Sequence, residues 1–299
     1  MAIERILITG SSGTIGTRLF ERLSGDYSVI GVDRKPNKWN KKIDKQTIKG
    51  DLLREETFRN ISPDQDLVIH LAANSRVYDL IINPELALEN VQTLFRTLEF
   101  CREKGIKKFI FASSREVYGD TKGIHPETDA LICESPYTAS KIGGEALVHA
   151  YQKYGINFVI PRFSNVYGMY DEKDRVIPKF IKNCRERGDL DIFGGDKLLD
   201  FIYINDAVEG VRFMVEQFEL IEGDTFNIAS GKGVSIMDVA KIIREKMNSS
   251  GKINIKENRP GEVMHCIADI TKARNVLRFN PKVDINEGLE RSIDWYENH

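Results

Sequence analysis

The feature that most constrains this chain is a glycine-rich turn between a short apolar run and a helical repeat. Gly10, Gly13 and Gly16 are spaced three residues apart, directly after the apolar residues 6–8. Apolar residues at helical spacing follow over residues 15–23. Glycines let a backbone turn sharply and approach a pyrophosphate, which the N–H groups at a helix N-terminus attract. The turn therefore predicts a strand–turn–helix unit that binds a dinucleotide.

A carboxylate stands where the second apolar run ends. Asp33 follows residues 29–32 and lies about 20 residues beyond the turn, where a carboxylate can accept hydrogen bonds from the adenosine ribose. Its charge would repel a 2′-phosphate, which favours NAD as the cofactor. Arg34 and Lys35 follow directly and could hold such a phosphate, so NADP is the alternative.

Short apolar runs alternate with helical stretches through the first half of the chain. This alternation is typical of a parallel sheet covered by helices on both faces. It predicts an α/β fold, a Rossmann-type doubly wound parallel sheet with a smaller, interleaved C-terminal substrate-binding lobe. The NAD-binding domain is assigned residues 1–165, with the chain returning to it over about 203–228, and the substrate-binding lobe residues 166–202 and 229–299. The candidate strands are residues 6–8, 29–32, 67–69, 108–111 and 158–160.

Composition excludes several classes of function. The net charge of −2 over 299 residues provides no basic field for nucleic acid. The four cysteines form no CxxC pair and have no accompanying histidine cluster, so no metal site is expected. No apolar run reaches the roughly 20 residues that span a bilayer, and the N-terminal segment lacks the apolar core of a signal peptide. A cytoplasmic protein with reduced thiols and no membrane contact is expected.

Tyr137 and Lys141 lie four residues apart in a predicted helix that Ser135 caps and Pro136 begins. At this spacing the two side chains share one helix face, so the ammonium is expected to lower the pKa of the phenol. A phenol at its usual pKa of about 10 is a poor base at neutral pH. Ser114 follows a predicted strand and is positioned to hydrogen-bond both the Tyr137 oxygen and a substrate hydroxyl.

The order of these motifs resembles the extended short-chain dehydrogenase/reductase group, in the NAD-dependent nucleotide-sugar epimerase/dehydratase family. The resemblance covers nearly the whole chain. The matching segments are residues 10–16, Asp51-Leu52, 70–73, Asn90, 113–119, 137–141, 161–168, 200–206, Asn227 and 259–262.

The resemblance implies a role for each matching position. Tyr137 would be the base that removes a sugar hydroxyl proton, Lys141 its activator and a ribose ligand, and Ser114 its hydrogen-bonding partner. Arg259 would bind the diphosphate, to which a guanidinium presents fixed donors. The implied cofactor-binding residues are Gly10, Ser12, Gly13, Thr14, Ile15, Gly16, Asp33, Arg34, Asp51, Leu52, Leu71, Ala72, Ala73, Asn90, Tyr137 and Lys141. The implied substrate-binding residues are Ser114, Asn165, Asn227 and Arg259.

Departures from the family pattern concern the reaction. Glu116 stands where 4-epimerases usually carry a small residue and where the related dehydratases and decarboxylases carry a Glu. The dehydratases place an Asp before it as proton donor, but this chain has Arg115. Leu199 replaces the Arg that faces a uronate carboxylate or the diphosphate, a role that Lys197 or Arg175 could take.

These features favour a 4-epimerase that acts through a transient 4-keto sugar. The alternatives are a 4,6-dehydratase or decarboxylase using Glu116, and a non-catalytic NAD-binding regulatory protein on the same fold. The expected ligand is a nucleotide-diphosphate sugar. The resemblance also implies a homodimer formed by the helices at about 88–104 and 137–153. Leu94, Leu98 and Cys101 give the first of these an apolar stripe, which is also typical of an intramolecular core.

Overall fold

A computed structural model describes residues 2–171, 174–259 and 263–299. The strands are β1 (Arg5–Thr9), β2 (Ser28–Asp33), β3 (Thr47–Lys49), β4 (Leu67–His70), β5 (Lys108–Phe111), β6 (Ser113–Ser114), β7 (Ile124–His125), β8 (Asn157–Phe163), β9 (Asn165–Tyr167), β10 (Leu190–Phe193), β11 (Leu198–Tyr203), β12 (Thr225–Ile228), β13 (Gly233–Ser235), β14 (Ile253–Lys256) and β15 (His265–Ala268). The α-helices are α1 (Thr14–Leu23), α2 (Lys41–Lys45), α3 (Glu55–Arg59), α4 (Val77–Ile82), α5 (Glu85–Lys104), α6 (Pro136–Tyr151), α7 (Val176–Arg185), α8 (Ile204–Glu216), α9 (Phe218–Ile221), α10 (Ile236–Lys246), α11 (Thr271–Leu277) and α12 (Ile285–Asn298). Arg115–Tyr118 and Gln152–Tyr154 form short 3₁₀ turns.

The main sheet is parallel throughout, which confirms the predicted Rossmann-type fold. Its strand order is β12-β8-β5-β4-β1-β2-β3, and β6 extends the pairing with β8. All five predicted strands belong to it. The edge strand β3 was not predicted, because it is only three residues long and two of them are polar.

Both faces of this sheet are covered by helices. Ile6 and Ile8 belong to the core that α1 and α8 cover, whereas Leu7 belongs to the opposite core, which α5 and α6 cover. Adjacent residues of one strand point to opposite faces, so a strand buried on both faces must be apolar at consecutive positions. The apolar stripe of α5 lies inside this second core. That stripe is therefore intramolecular packing.

The second lobe is built from later segments and one early one. Strands β13, β11, β15 and β7 form its sheet, with β9 also pairing with β11, and β10 pairs with β14. The early strand β7 belongs to this lobe, while α8 packs against α1 and β12 pairs with β8 in the main sheet. The two lobes interleave in sequence, and the domain boundaries assigned above stay a prediction.

Two observations concern membranes and metals. In the part of the chain that the structure describes, no helix is both long and apolar enough to cross a bilayer. Across residues 2–171, 174–259 and 263–299, His, Cys, Asp and Glu side chains form no group that could hold a metal ion.

Candidate active site

A cavity of about 930 Å³ lies between the carboxyl ends of the main-sheet strands and the second lobe. Ligands of open α/β sheets bind at this edge. The glycine turn, the end of β2, the loop after β4 and the N-terminal part of α6 line one side of it. Residues of β9, α7, β10 and β11 line the other side. All the predicted cofactor-binding residues lie on its wall.

The glycine turn leaves no room for side chains. A Cβ at Gly16 would lie 2.1 Å from the carbonyl oxygen of Gly10. Gly10 has φ +72°, and its Cβ would lie 2.8 Å from the backbone nitrogen of Ala72. The turn is thus packed tightly between α1 and the loop after β4, which brings backbone close to the cavity as a pyrophosphate site requires.

The polar groups around this turn fit a dinucleotide. The Ser12 hydroxyl is buried and has no hydrogen-bond partner among the residues that the structure describes. Its backbone N–H donates to Asp33 at 2.9 Å, which holds the carboxylate at the end of β2 against the turn. Arg34 donates to the side-chain oxygen of Asn74 at 2.8 Å, so its guanidinium is engaged with the loop after β4. When NAD is bound, Asp33 would hold its ribose and the turn its pyrophosphate.

Asn90 holds the loop after β4 in place. Its side-chain oxygen accepts from the backbone N–H of Asn74 at 2.7 Å, and its amide donates to Ser140 on α6 at 3.2 Å. Asn90 lines the cavity and also fixes the wall around it.

Tyr137 and Lys141 lie in the first two turns of α6, which begins as predicted. Ser135 caps the helix by accepting from the backbone N–H of Thr138, and Pro136 is its first residue. Tyr137 and Lys141 are 7% and 6% exposed and line the cavity. Ser114 also lines it.

Burial controls the protonation of Tyr137. Desolvation raises the pKa of its phenol to about 12, a hydrogen bond from Ser114 opposes that rise, and the nearby charge of Glu116 adds to it. Burial likewise lowers the pKa of Lys141 to about 8, against the attraction of Glu145. In the protein without NAD the pKa of Tyr137 is thus raised, because desolvation outweighs the opposing influences. That Lys141 lowers this pKa in the NAD-bound enzyme stays a prediction.

Arg115 and Glu116 form a buried ion pair beside the Tyr137 phenol. Arg115 Nη2 lies 2.8 Å from Glu116 Oε1 and 3.2 Å from the side-chain oxygen of Asn165. The Asn165 amide donates in turn to the carbonyl oxygen of Asp200 at 2.8 Å. The backbone N–H of Glu116 donates to the Ser114 hydroxyl at 3.2 Å. Ser114, Glu116 and Asn165 are thus held in one network at the cavity wall.

A model of the NAD-dependent epimerase/dehydratase family matches residues 6–229. The chain belongs to this family. An uncharacterised UDP-glucose epimerase of Bacillus subtilis is 34% identical over 311 residues, which cover 97% of each chain. A trifunctional enzyme of Arabidopsis thaliana, which includes a UDP-glucose 4,6-dehydratase, is 31% identical over 98% of this chain and 47% of its own length.

The crystal structure of UDP-glucuronic acid 4-epimerase from Bacillus cereus, in complex with UDP-glucuronic acid and NAD, superposes with a TM-score of 0.90. It is 31% identical, over 98% of this chain and 99% of that one. The family resemblance and the fold expected from the sequence are thereby confirmed, and NAD is the cofactor of the family. These members of the epimerase/dehydratase family differ in reaction, so membership establishes the enzyme class and leaves the reaction to the site.

One position of the family motif lies elsewhere. Asn227 is fully buried and does not line the cavity. Its side-chain oxygen accepts from the Tyr118 hydroxyl at 2.7 Å, and its amide donates to the carbonyl oxygens of His125 and Asp269, each at 2.9 Å. The predicted substrate contact is corrected to a structural one, because all the polar atoms of this side chain are used inside the protein.

The Arg259 segment is described only in part, since Pro260, Gly261 and Glu262 lie outside the described residues. Arg259 lines the cavity, with its guanidinium 4.1 Å from the ring centroid of Phe193 and 5.4 Å from that of Tyr78. Its role as a diphosphate ligand stays a prediction.

We expected Lys197 or Arg175 to replace the arginine that the family carries where this chain has Leu199, but we did not expect Arg76. Leu199, Lys197 and Arg175 all line the cavity. Arg175 donates to the Ser75 hydroxyl at 2.8 Å and so joins the second lobe to the loop after β4. Arg76 and Asp174 form an ion pair across the same gap. No sequence signal connects these residues, which are about a hundred positions apart.

Proposed function

We propose that this enzyme is a 4-epimerase of a nucleotide-diphosphate hexose. The observation that carries the proposal is the set of Ser114, Tyr137 and Lys141 on the wall of one cavity with the glycine turn. A site that only stored NAD would not need a phenol, a hydroxyl and an ammonium next to a sugar-sized space. This argues against a non-catalytic NAD-binding protein.

Proton transfer at the sugar is assigned to Tyr137. Its oxygen, as phenolate, takes the proton from the C4 hydroxyl while the Ser114 hydroxyl hydrogen-bonds the same oxygen atoms. When bound, NAD would supply the hydride acceptor for C4 and the hydride donor for the opposite face of the transient 4-keto sugar, and its positive ring would favour the phenolate. Lys141 would hold the ribose and add positive charge. Tyr137 finally returns the proton to the C4 oxygen. Because the hydride also returns to C4, no net oxidation occurs.

The nucleotide is proposed to be UDP. Relatives of this chain are named for UDP-glucose or bind UDP-glucuronic acid, each at 30% identity or more over nearly its whole length. Leu199 removes one guanidinium that could face a sugar carboxylate, which favours a neutral hexose. Asn165 and Arg259 are the substrate-binding residues in this proposal.

Glu116 separates the epimerase from the lyase alternative. A dehydratase would need free acid and base groups beside C5 and C6 of the sugar. Here the carboxylate of Glu116 is tied to Arg115 at 2.8 Å, and a guanidinium does not act as a carboxylic acid. The ion pair therefore favours epimerisation.

The test is product analysis by NMR after incubation with NAD and UDP-glucose, UDP-galactose, UDP-N-acetylglucosamine or UDP-glucuronate. A C4 epimer of unchanged mass is the expected product. Tyr137→Phe should lose about 10²–10⁴-fold in turnover, the usual contribution of a positioned acid–base group. A product lighter by water or carbon dioxide would establish the lyase alternative, and no product from any sugar would revive the non-catalytic alternative.

The assembly is proposed to be a homodimer formed by α5 and α6. These helices pack against each other on one face of the main sheet. Leu88 and Phe95 lie seven residues apart on α5 and are 56% and 47% exposed. At that spacing they share a face, which a second copy would cover. A cytoplasmic location also stays a prediction.

A further inference from the structure

Arg115 restrains a carboxylate that lies close to the reacting sugar. Glu116 is 8% exposed, lines the cavity and acts electrostatically on the Tyr137 phenol. Among the residues that the structure describes, it forms a salt bridge with Arg115, with Nη2 to Oε1 at 2.8 Å. The same Nη2 donates to Asn165 at 3.2 Å, so the guanidinium is anchored to β9 in the second lobe.

A free carboxylate at this place would promote side reactions of the 4-keto intermediate in an epimerase. Once C4 is a ketone, the proton on the neighbouring C5 is acidic, because the enolate spreads its charge onto the C4 oxygen. A carboxylate in reach would take that proton. Reprotonation then exchanges the C5 hydrogen with solvent. Alternatively, protonation of the C6 hydroxyl lets it leave as water with the electrons of the C6–O bond, while the enolate electrons form the C5=C6 double bond. Either outcome diverts the 4-keto sugar from hydride return.

We propose that Arg115 is a specificity-determining positioning residue, which keeps the Glu116 carboxylate from removing the C5 proton of the 4-keto intermediate. The inference rests on the proposed 4-epimerase function. Removing the guanidinium frees a base, so the enzyme gains a reaction at C5. If the ion pair were only structural, its removal would only destabilise the protein.

The ion pair of Arg115 and Glu116 is difficult to break. Both members are more than nine-tenths buried, and a buried charge whose partner is removed is strongly unfavourable. Among the described residues, Cys266 and Asp200 also act on the guanidinium charge, and Arg115 and Arg175 act on the Tyr137 phenol. Arg115 is the one of these cations bonded to Glu116.

The experiment is turnover of the holoenzyme in D₂O, with NMR of the sugar C5 position. The measured quantity is the ratio of C5 deuterium incorporation to C4 epimerisation. The wild-type ratio should be close to zero. In Arg115→Met it should rise by about 10²-fold, at the lower end of what a positioned base contributes. Arg115→Lys, which keeps a cation, is the matched control and should retain a low ratio.

The gain must depend on Glu116. The double variant Arg115→Met/Glu116→Gln should lose the C5 exchange again. If Arg115→Met is too slow at C4, a UDP-4-keto-6-deoxyhexose added to the holoenzyme bypasses the oxidation, and C5 exchange is read directly against the wild type. A circular dichroism spectrum and thermal unfolding check that each variant is folded.

The outcomes separate this inference from the proposed function. A wild type that makes the C4 epimer, with Arg115→Met showing no excess C5 exchange from either substrate, overturns the inference alone. C5 exchange or water loss in the wild type also overturns it. Absence of any C4 chemistry in the wild type overturns the proposed function, and the inference falls with it.

Discussion

The ammonium of Lys141 donates a hydrogen bond to the carbonyl oxygen of Ala112 at 2.7 Å. It lies 5.8 Å from the ring centroid of Tyr137 on the same helix. Lys141 is therefore held by the residue that follows β5. Burial dominates both groups, which raises one pKa and lowers the other.

The first prediction concerns the titration of Tyr137. Because its pKa is raised to about 12, the NAD-free protein should show no Tyr137 phenolate at neutral pH. Glu116→Gln removes a negative charge beside the phenol, which stabilises the phenolate and lowers the pKa. The measurement is the ultraviolet phenolate difference spectrum against Tyr137→Phe across pH. Glu56→Gln on α3 is the control, and an unchanged titration in Glu116→Gln would contradict the electrostatic account.

The second prediction concerns the glycine turn. Gly16→Ala places a Cβ 2.1 Å from the Gly10 carbonyl oxygen, so the turn or α1 must shift. Overpacking of this kind costs about 1–3 kcal/mol of unfolding free energy, and NAD affinity should fall with it. Gly25→Ala is the matched control, because its Cβ would meet nothing within 4 Å. Denaturant unfolding and calorimetric NAD titration check both variants, and equal effects would count against the turn geometry.

The third prediction concerns a buried ion pair beneath the site. Arg162 donates to both oxygens of Glu145, at 3.0 and 2.8 Å, and the Ser113 hydroxyl donates to the same carboxylate at 2.6 Å. Arg162→Leu leaves Glu145 buried and unpaired, which should cost about 3–5 kcal/mol of unfolding free energy.

The control for Arg162→Leu is the exposed ion pair of Arg59 and Glu55 on α3. Arg59→Leu should leave unfolding by urea unchanged, because solvent screens such pairs. A small loss of unfolding free energy in Arg162→Leu would mean that the buried Glu145 carboxylate finds another partner or binds a proton.

The fourth prediction concerns assembly. Phe95→Glu puts a charge on the exposed face of α5, and the mass in light scattering should fall from two chains to one. Leu220→Glu is the control, since Leu220 is 84% exposed on α9 and is expected to face solvent in the dimer as well. A wild-type monomer, or a Phe95→Glu dimer, would contradict the assignment of this interface.

Local patterns in the sequence determined most of the fold and predicted residues that line the cavity. Residues 6–8 had to be a strand buried on both faces, because consecutive apolar residues of a strand point in opposite directions. The glycine turn and the Ser135 cap could also be predicted, because their hydrogen bonds join residues only a few positions apart. Tyr137 and Lys141 share a helix face by spacing alone.

The tertiary structure decided the contacts between distant segments. Arg115 meets Asn165 across 50 positions, and Asn227 meets Tyr118 across 109, which turned a predicted substrate ligand into a buried support. It also decided protonation, since the pKa of Tyr137 depends on how much water the folded chain excludes. Spacing fixes which side chains share one helix or strand, but distance and desolvation between separate elements arise only when the chain is packed.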